Sequence, residues 1–307
     1  MRAALVGVVI VAAARAAGAA PAIAAIAAAS HARGAMIVGP SGQVYDPDGR
    51  GSWVRHRAGG VGDAVGVAVI AGDTVIAGAA DASASHGPPF QWQGGAWHVI
   101  PLALRAHAVV GRGTRAAAAV NRAVWTLDGV PKQLADAPAA VTMVGASAAG
   151  IAVATARGVF RLDGKQWTVV DHAPAVVALL DDRWAQTAGG VFDLRAGKPI
   201  AWPSGFPAAA AVAVDRDGDV VAAGVDGRGV AVVVVANGHA TLDRMPDSAL
   251  SGPIGTVVGV ATDRDGVVVV AVADGRVAIR DGGRWSATAV RDELPAPRAG
   301  APPATSR

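Results

Sequence analysis

Residues 257–290 contain short apolar runs separated by Asp-Gly pairs, and this arrangement limits the possible folds more than any other feature of the chain. The segment reads VVGVATDRDGVVVVAVADGRVAIRDGGRWSATAV, with Asp-Gly at positions 265–266, 274–275 and 281–282. Asp-Gly between β-branched runs is the strongest local signal for a β-hairpin, because glycine supplies the positive φ of the tight turn without strain. The segment therefore predicts four short antiparallel strands in succession.

The same unit recurs along the chain at a period of roughly 35–45 residues. Seven copies align, at 23–54, 65–97, 106–135, 141–171, 176–202, 211–245 and 257–290. The sixth copy, with VAVDRDGDVVAAGVDGRG, nearly repeats the VATDRDGVVVVAVADGRV of the seventh. A four-stranded unit that is apolar on both faces cannot bury both of them alone, so the units are expected to pack against one another.

Tryptophan positions provide a second indication of the repeat. Five of them follow a glycine-containing turn at intervals of one or two repeats, and we predict that they mark the fourth strand: Trp53, Trp97, Trp167, Trp202 and Trp285. The third and sixth copies lack this tryptophan.

Four-stranded units at this period, with no helical pattern between them, predict an all-β fold, a single seven-bladed β-propeller of four-stranded antiparallel blades. Small Ala and Val side chains suit strands that converge near a central axis. Six or eight blades remain alternatives, because the second and sixth copies are irregular. The first and last copies each hold all four strands, so ring closure would rest on side-to-side packing or on an additional strand from either end of the chain.

The N-terminus predicts export. Met1-Arg2 precedes an apolar stretch at 3–14, and small residues around Ala19 provide a signal-peptidase site. The alternatives are a short Ala-rich helix or an uncleaved membrane anchor. We predict a signal peptide at 1–20, the propeller at 21–290 and a disordered tail at 291–307, and we expect a periplasmic or extracellular monomer with no membrane span once the signal is removed.

Two segments carry a resemblance to a known family. Residues 150–164 read GIAVATARGVFRLDG and are followed by Trp167, and residues 183–194 read RWAQTAGGVFDL. Both resemble the repeat of two-component-regulator-type sensor propellers, which WD-type and quinoprotein-like blades partly share. The resemblance implies an extracytoplasmic binding domain. The first, third and sixth copies depart from the pattern, because they lack its Trp-x-Gly-Thr element.

Composition excludes several functions. The absence of cysteine excludes disulfides, zinc–thiolate sites and a thiol nucleophile. Basic residues exceed acidic ones by only three, and the arginines are scattered singly, so we predict no nucleic-acid partner. No Gly-x-Ser-x-Gly motif is present. A sialidase-type site would have to use Tyr45 and Glu293, the only glutamate, and the Asp-box turn of that family is absent.

The sequence offers few metal ligands or catalytic groups. The aspartates at 215–219 and 263–265 could bind a cation, but each group falls at a predicted strand-to-strand turn, which favours a role in the turn. The seven histidines show no close pairing. We therefore predict no catalytic residues, no metal and no cofactor.

Two segments are longer than the repeat requires, and such loops are more often functional than core positions are. Both would lie at one mouth of the channel, so we predict a ligand site there, formed by Asp81, Ser83, Ser85, His86, Asp247, Ser248 and Ser251. The leading hypothesis is an exported, non-enzymatic module that binds an unknown protein, peptide or carbohydrate. The alternatives are a propeller hydrolase or lyase with an Asp/His site in the channel, and a structural module of an envelope assembly.

Overall fold

The computed structural model describes fifteen segments of the chain, in which every regular element is a β-strand. The described residues are 25–27, 36–38, 44–47, 53–56, 63–70, 74–80, 89–93, 96–100, 108–110, 112–113, 117–127, 130–215, 217–246, 254–262 and 266–291. No membrane-crossing helix is found in this part of the chain.

Twenty-eight of the 29 strands in the described segments form successive groups of four, which we call units 1 to 7. Unit 1 comprises β1 Ala25–Ala27, β2 Met36–Val38, β3 Val44–Pro47 and β4 Trp53–His56. Unit 2 comprises β5 Asp63–Ile70, β6 Thr74–Ala80, β7 Pro89–Gln93 and β8 Ala96–Val99. Unit 3 comprises β9 Ala108–Val110, β11 Ala117–Val120, β12 Ala123–Thr126 and β13 Lys132–Gln133, and β10 Arg112–Gly113 lies between β9 and β11.

The remaining strands follow the same order. Unit 4 comprises β14 Val141–Ser147, β15 Gly150–Thr155, β16 Gly158–Asp163 and β17 Gln166–Val169. Unit 5 comprises β18 Ala178–Leu179, β19 Trp184–Thr187, β20 Gly190–Asp193 and β21 Lys198–Ala201. Unit 6 comprises β22 Ala211–Val214, β23 Val220–Asp226, β24 Gly229–Ala236 and β25 His239–Arg244. Unit 7 comprises β26 Val257–Thr262, β27 Val268–Val272, β28 Arg276–Asp281 and β29 Arg284–Arg291.

Within each unit, the four strands pair antiparallel with their neighbours in chain order. The links between successive strands therefore alternate between the two ends of the sheet. We call the end that carries the first-to-second and third-to-fourth turns the AB end. The opposite end, which carries the second-to-third links and the connections between units, is the BC end.

The core lies between adjacent units. On β15 of unit 4, Ile151 and Val153 pack against unit 3, whereas Ala152 and Ala154 pack against unit 5. Successive side chains on a strand point to opposite faces, so a continuous apolar run serves two interfaces. Further buried clusters join units 5 and 6, units 6 and 7, and units 7 and 1. This is the face-to-face packing that the repeat predicted.

The first and last units are joined through their outer strands. β4 and β29 pair in parallel, with Val290 opposite Trp53 and Arg291 opposite Val54, which merges units 1 and 7 into one eight-stranded sheet. Tyr45 of unit 1 is fully buried in a cluster with Val269 and Ala271 of unit 7. Units 1 and 7 are therefore joined by packing between complete units, which was one of the alternatives from the sequence, and by a short parallel pairing that the sequence did not predict.

β10 leaves its own unit and pairs in parallel with the first strand of unit 4. Arg112 lies opposite Gly145, and Gly113 lies opposite Ala146, near the AB end of β14. β10 also contacts β5 and β22, the first strands of units 2 and 6. A segment that touches the first strands of three separate units lies where those strands converge.

Trp202 does not occupy the place that the sequence assigned to it. Trp97, Trp167 and Trp285 each lie on a fourth strand, one residue pair in from the third-to-fourth turn. In unit 5 that place belongs to Pro199, opposite Phe192. Trp202 follows β21 and packs with the buried cluster between units 5 and 6. The prediction from the sequence placed Trp202 by its distance from the preceding glycine-containing turn. That distance does not determine which face of the sheet the side chain lies on.

The aspartates at 215–219 form the turn between β22 and β23. One carboxylate oxygen of Asp215 accepts hydrogen bonds of 2.9 Å from the backbone amides of Asp217 and Asp219. Burial raises the pKa of the Asp215 carboxyl. This is the turn role that the sequence favoured, and the similar group at 263–265 lies outside the described residues.

Candidate functional site

All seven residues predicted to bind ligand lie outside the described residues: Asp81, Ser83, Ser85, His86, Asp247, Ser248 and Ser251. The strands that flank them are described. β6 ends at Ala80 and β7 begins at Pro89, so residues 81–88 link the second and third strands of unit 2. Residues 245–256 link unit 6 to unit 7. Both links belong to the BC end.

The two links are the longest of their kinds between described strands. Second-to-third links occupy two residues at 121–122, 156–157, 188–189 and 227–228, three at 273–275 and five at 39–43, against eight at 81–88. Connections between units run from six residues at 57–62 to nine at 202–210, against twelve at 245–256. Extra chain at the BC end therefore exceeds what the fold needs.

A polar cluster lies at the AB end, between units 4 and 5. Its centre is Asp182, whose side chain is 1% exposed. The Ser147 hydroxyl donates a hydrogen bond to one carboxylate oxygen of Asp182, and Nη2 of Arg195 donates one of 2.5 Å to the other. Nε of Arg161 donates to the Asp182 carbonyl oxygen over 3.1 Å. Hydrogen bonds and opposite charge compensate the desolvation of this buried carboxylate.

Asp181 adjoins this cluster and shapes the turn before β19. One of its carboxylate oxygens accepts hydrogen bonds from the backbone amides of Arg183, at 2.7 Å, and Trp184, at 2.6 Å. Burial raises the pKa of the Asp181 carboxyl to about 6, against the opposing effect of these two amides. The Asp181 carboxylate is therefore mostly charged at neutral pH, although its burial disfavours the charged form.

Arg183 and Trp184 connect the same turn to its surroundings. Nε of Arg183 donates to Asp193 over 3.0 Å, and the Arg183 guanidinium lies 4.5 Å from the centre of the Trp184 ring. The indole of Trp184 donates a hydrogen bond of 2.9 Å to the carbonyl oxygen of Gly218 in unit 6. The Trp184 hydrogen bond joins units 5 and 6 at the AB end, and the two Arg183 contacts lie within unit 5.

A cavity of about 460 Å³ adjoins the cluster on its outer side. Arg161, Asp163 and Thr168 of unit 4 line one side, and the turn at 194–197 of unit 5, which includes Arg195, lines the other. Asp171 also contributes to the lining. The cavity is polar, and its two arginines are the side chains that hold Asp182.

The chemistry of this arrangement is ionic and hydrogen-bonding. Both arginines already bind the carboxylate that the Ser147 hydroxyl contacts, so Asp182 is poorly suited to act as a base toward that hydroxyl. No group of three metal-ligating side chains occurs among the residues that the structure describes. Sequence reasoning missed the cluster, although Asp181-Asp182-Arg183 interrupts two apolar segments and was a usable signal.

Comparisons with known proteins agree with the fold. No protein-family model matches the chain, and no curated protein matches it. The WD40 β-propeller domain of Doa1 is similar in structure, with a TM-score of 0.57 and 14% identity over 88% of this chain and 96% of that one. The computationally designed Ika8 protein has a TM-score of 0.51 and 17% identity over 84% and 96%. The extracellular domain of the proposed one component system BT4673 from B. thetaiotaomicron has a TM-score of 0.40 and 12% identity over 85% and 40%.

The chain is therefore a β-propeller-type repeat protein, built from four-stranded antiparallel units that pack face to face. The resemblance that the sequence suggested is confirmed at the level of the fold. At these identities the similarity defines the architecture and assigns no activity.

Proposed function

We propose that this chain is an exported, non-catalytic, seven-bladed propeller that binds a protein or peptide ligand at its BC end. The seven consecutive units and the parallel pairing of β4 with β29 support the blade number. Each unit supplies one blade, and direct contact between units 1 and 7 completes the ring.

The unequal link lengths at the BC end carry the proposal. Residues 81–88 and 245–256 extend from a rim where most second-to-third links are two-residue turns. Long loops on a rigid scaffold are typical positions for binding residues. We propose that Asp81, Ser83, Ser85 and His86 contact the ligand from one loop, and that Asp247, Ser248 and Ser251 contact it from the other.

The position of β10 favours the same end. This segment pairs with β14 near the AB end and also contacts β5 and β22, so it occupies the centre on that side. A ligand that docks over the central channel would therefore have better access from the BC end.

Export is the second part of the proposal. The positive start, the apolar stretch at 3–14 and the small residues near Ala19 favour a cleaved signal peptide. Peptide sequencing of the protein from the producing cells should find a new N-terminus close to residue 20 or 21, in the periplasmic or secreted fraction. Recovery of Met1 at the N-terminus of a cytoplasmic protein would contradict export.

Site-specific crosslinking tests the binding site, because the chain contains no cysteine. A photoreactive label is attached to Ser85→Cys or to Ser251→Cys, and to Lys165→Cys as the control. Lys165 is exposed on the β16–β17 turn, at the AB end. We expect discrete protein adducts in the native envelope or medium from the first two positions and none from the third. The adduct from Ser251→Cys should disappear when 81–88 is replaced by Asn-Gly.

Adducts from all three positions, or from Lys165→Cys alone, would contradict the proposed site. Circular dichroism of the shortened protein must show the same β signal as the wild type, which separates loss of binding from loss of fold.

A further inference from the structure

The interface between units 4 and 5 lacks a packing element that two other interfaces have. Trp167 of unit 4 packs into the cluster between units 3 and 4, and Trp285 of unit 7 packs into the cluster between units 6 and 7. Both side chains are partly buried on the fourth strand. Pro199 holds the equivalent place in unit 5, and it is exposed. A proline is much smaller than a tryptophan, so this interface lacks the indole that the other two have, although Pro199 itself does not line the cavity described next.

The cavity of about 460 Å³ lies at this interface. Farther in, the two units make ordinary apolar contact, with Val159 of unit 4 in one buried cluster with Phe192 and Leu194 of unit 5. The face of unit 4 that meets unit 5 becomes polar beyond Val159. Arg161 on β16 and Thr168 on β17 are paired there and lie on this face. The cavity and these polar side chains therefore lie at the same part of the interface between units 4 and 5.

Two arginines in the lining share one buried carboxylate. Nη2 of Arg195 donates to Oδ2 of Asp182 over 2.5 Å, and Nη2 of Arg161 lies 3.7 Å from the same oxygen. Asp182 is 1% exposed, whereas the arginine side chains are 31% and 41% exposed. The Nη1 groups of both arginines make no hydrogen bond to any residue that the structure describes. Two guanidinium groups held in place by one carboxylate leave several donors for the cavity and one positive charge on these three groups, which the exposed Asp163 and Asp171 of the lining offset.

We propose that this cavity is a binding site for a small monoanionic carboxylate, held between the guanidinium groups of Arg161 and Arg195. Guanidinium groups bind carboxylates through paired, charge-assisted hydrogen bonds. Asp163 and Asp171 in the lining oppose ligands of higher negative charge and suit a cationic or hydroxyl group on the same ligand. The site is separate from the loops at the BC end and does not depend on the function proposed for them.

Acetate is the probe, and inorganic phosphate is the comparison. In a titration followed by amide chemical shifts, acetate should produce saturable shifts at residues 194–197. In Arg195→Gln the dissociation constant should rise by about tenfold or more, since the ligand loses a charge-assisted hydrogen bond. Arg157→Gln is the matched control. It removes the same charge from an exposed arginine on the β15–β16 turn, at the other end of unit 4.

Pro199→Trp is a second variant, needed because Arg195→Gln could lose binding by misfolding. It leaves Arg161, Arg195 and Asp182 unchanged. It restores the tryptophan of units 4 and 7, so it should fill the cavity and abolish the acetate shifts with no loss of thermal stability. Unchanged acetate affinity in both Arg195→Gln and Pro199→Trp, or no saturable shift in the wild type, would overturn the site. Tighter binding of phosphate than of acetate would overturn the assignment to monoanions.

Discussion

The indole nitrogen of Trp184 donates a hydrogen bond of 2.9 Å to the carbonyl oxygen of Gly218, across the boundary between units 5 and 6. Trp184 is 3% exposed and belongs to the apolar cluster that these two units share. A single side chain therefore supplies both apolar burial and a directional contact at this interface. Its neighbour Arg183 covers one face of the ring.

Replacing Trp184 by phenylalanine should lower the free energy of unfolding by about 1–3 kcal/mol, because the Gly218 carbonyl loses its partner and the ring becomes smaller. Urea denaturation followed by circular dichroism measures the change. Trp202→Phe is the matched control, since the Trp202 indole nitrogen is buried without a hydrogen-bond partner in the described structure. The control should lose less stability, and equal losses in the two variants would contradict a role for the hydrogen bond.

Gly145 is constrained by the chain of the next unit. A Cβ atom added at this residue would lie 2.5 Å from the carbonyl oxygen of Asp181. Gly145→Ala should therefore destabilise the protein by about 1–3 kcal/mol, because the backbones of β14 and the residue-181 turn would have to separate. In Gly189→Ala the new Cβ meets nothing within 4 Å, so its stability should change by less than about 1 kcal/mol. Thermal unfolding of both variants checks the contrast, and a stable Gly145→Ala protein would refute it.

Asp181 should make stability fall as the pH rises toward neutrality. Its folded-state pKa of about 6 lies above the ordinary value of 3.8, so the folded protein binds the proton more strongly than the unfolded chain does. The resulting stabilisation is complete below pH 3.8 and is lost as the pH rises through about 6, by roughly 3 kcal/mol in all. Asp181→Asn, which keeps an oxygen for the Arg183 and Trp184 amides, should flatten this dependence.

Unfolding free energies between about pH 2 and pH 7 test this prediction, and Asp226 provides a control of opposite sign at the acid end of this range. The Arg244 side chain lowers the pKa of the Asp226 carboxyl, so its contribution is present at neutral pH and declines as the pH falls. Asp226→Asn should weaken the loss of stability at low pH. If Asp181→Asn kept the wild-type slope between pH 4 and pH 6, the assignment of that slope to Asp181 would be wrong.

The pairing of β4 with β29 can be tested by crosslinking the two ends of the chain. Val54 and Arg291 are opposite one another in this parallel pair, at a separation suited to a disulfide between their Cα positions. The double variant Val54→Cys/Arg291→Cys should form an intramolecular disulfide on mild oxidation, visible as faster migration on a non-reducing gel. The control pair Val44→Cys/Arg291→Cys places one cysteine on β3, beyond β4, and should remain reduced. Equal crosslinking of both pairs would contradict the register.

Much of the architecture was predictable because it depends on local sequence patterns. Asp-Gly turns and β-branched runs identify where strands begin and end, and the apolar run Val268–Val272 is buried throughout, as its composition predicts. Trp202 was misplaced, because a spacing along the chain does not reveal which neighbouring unit a side chain meets. β10 was missed, since a two-residue parallel pairing leaves no periodic signal.

The repeat, the strand order within each unit and the need for units to cover one another follow from the chain alone, because turn chemistry and apolar periodicity specify them. Which charged side chains meet depends on how the units pack in three dimensions. Asp182, Ser147, Arg161 and Arg195 are up to 48 residues apart in the chain, and they converge because two adjacent units face each other. The cavity beside them lies at the interface where Pro199 takes the place that a tryptophan has in units 4 and 7. That comparison has physical meaning only once the units are superimposed in space.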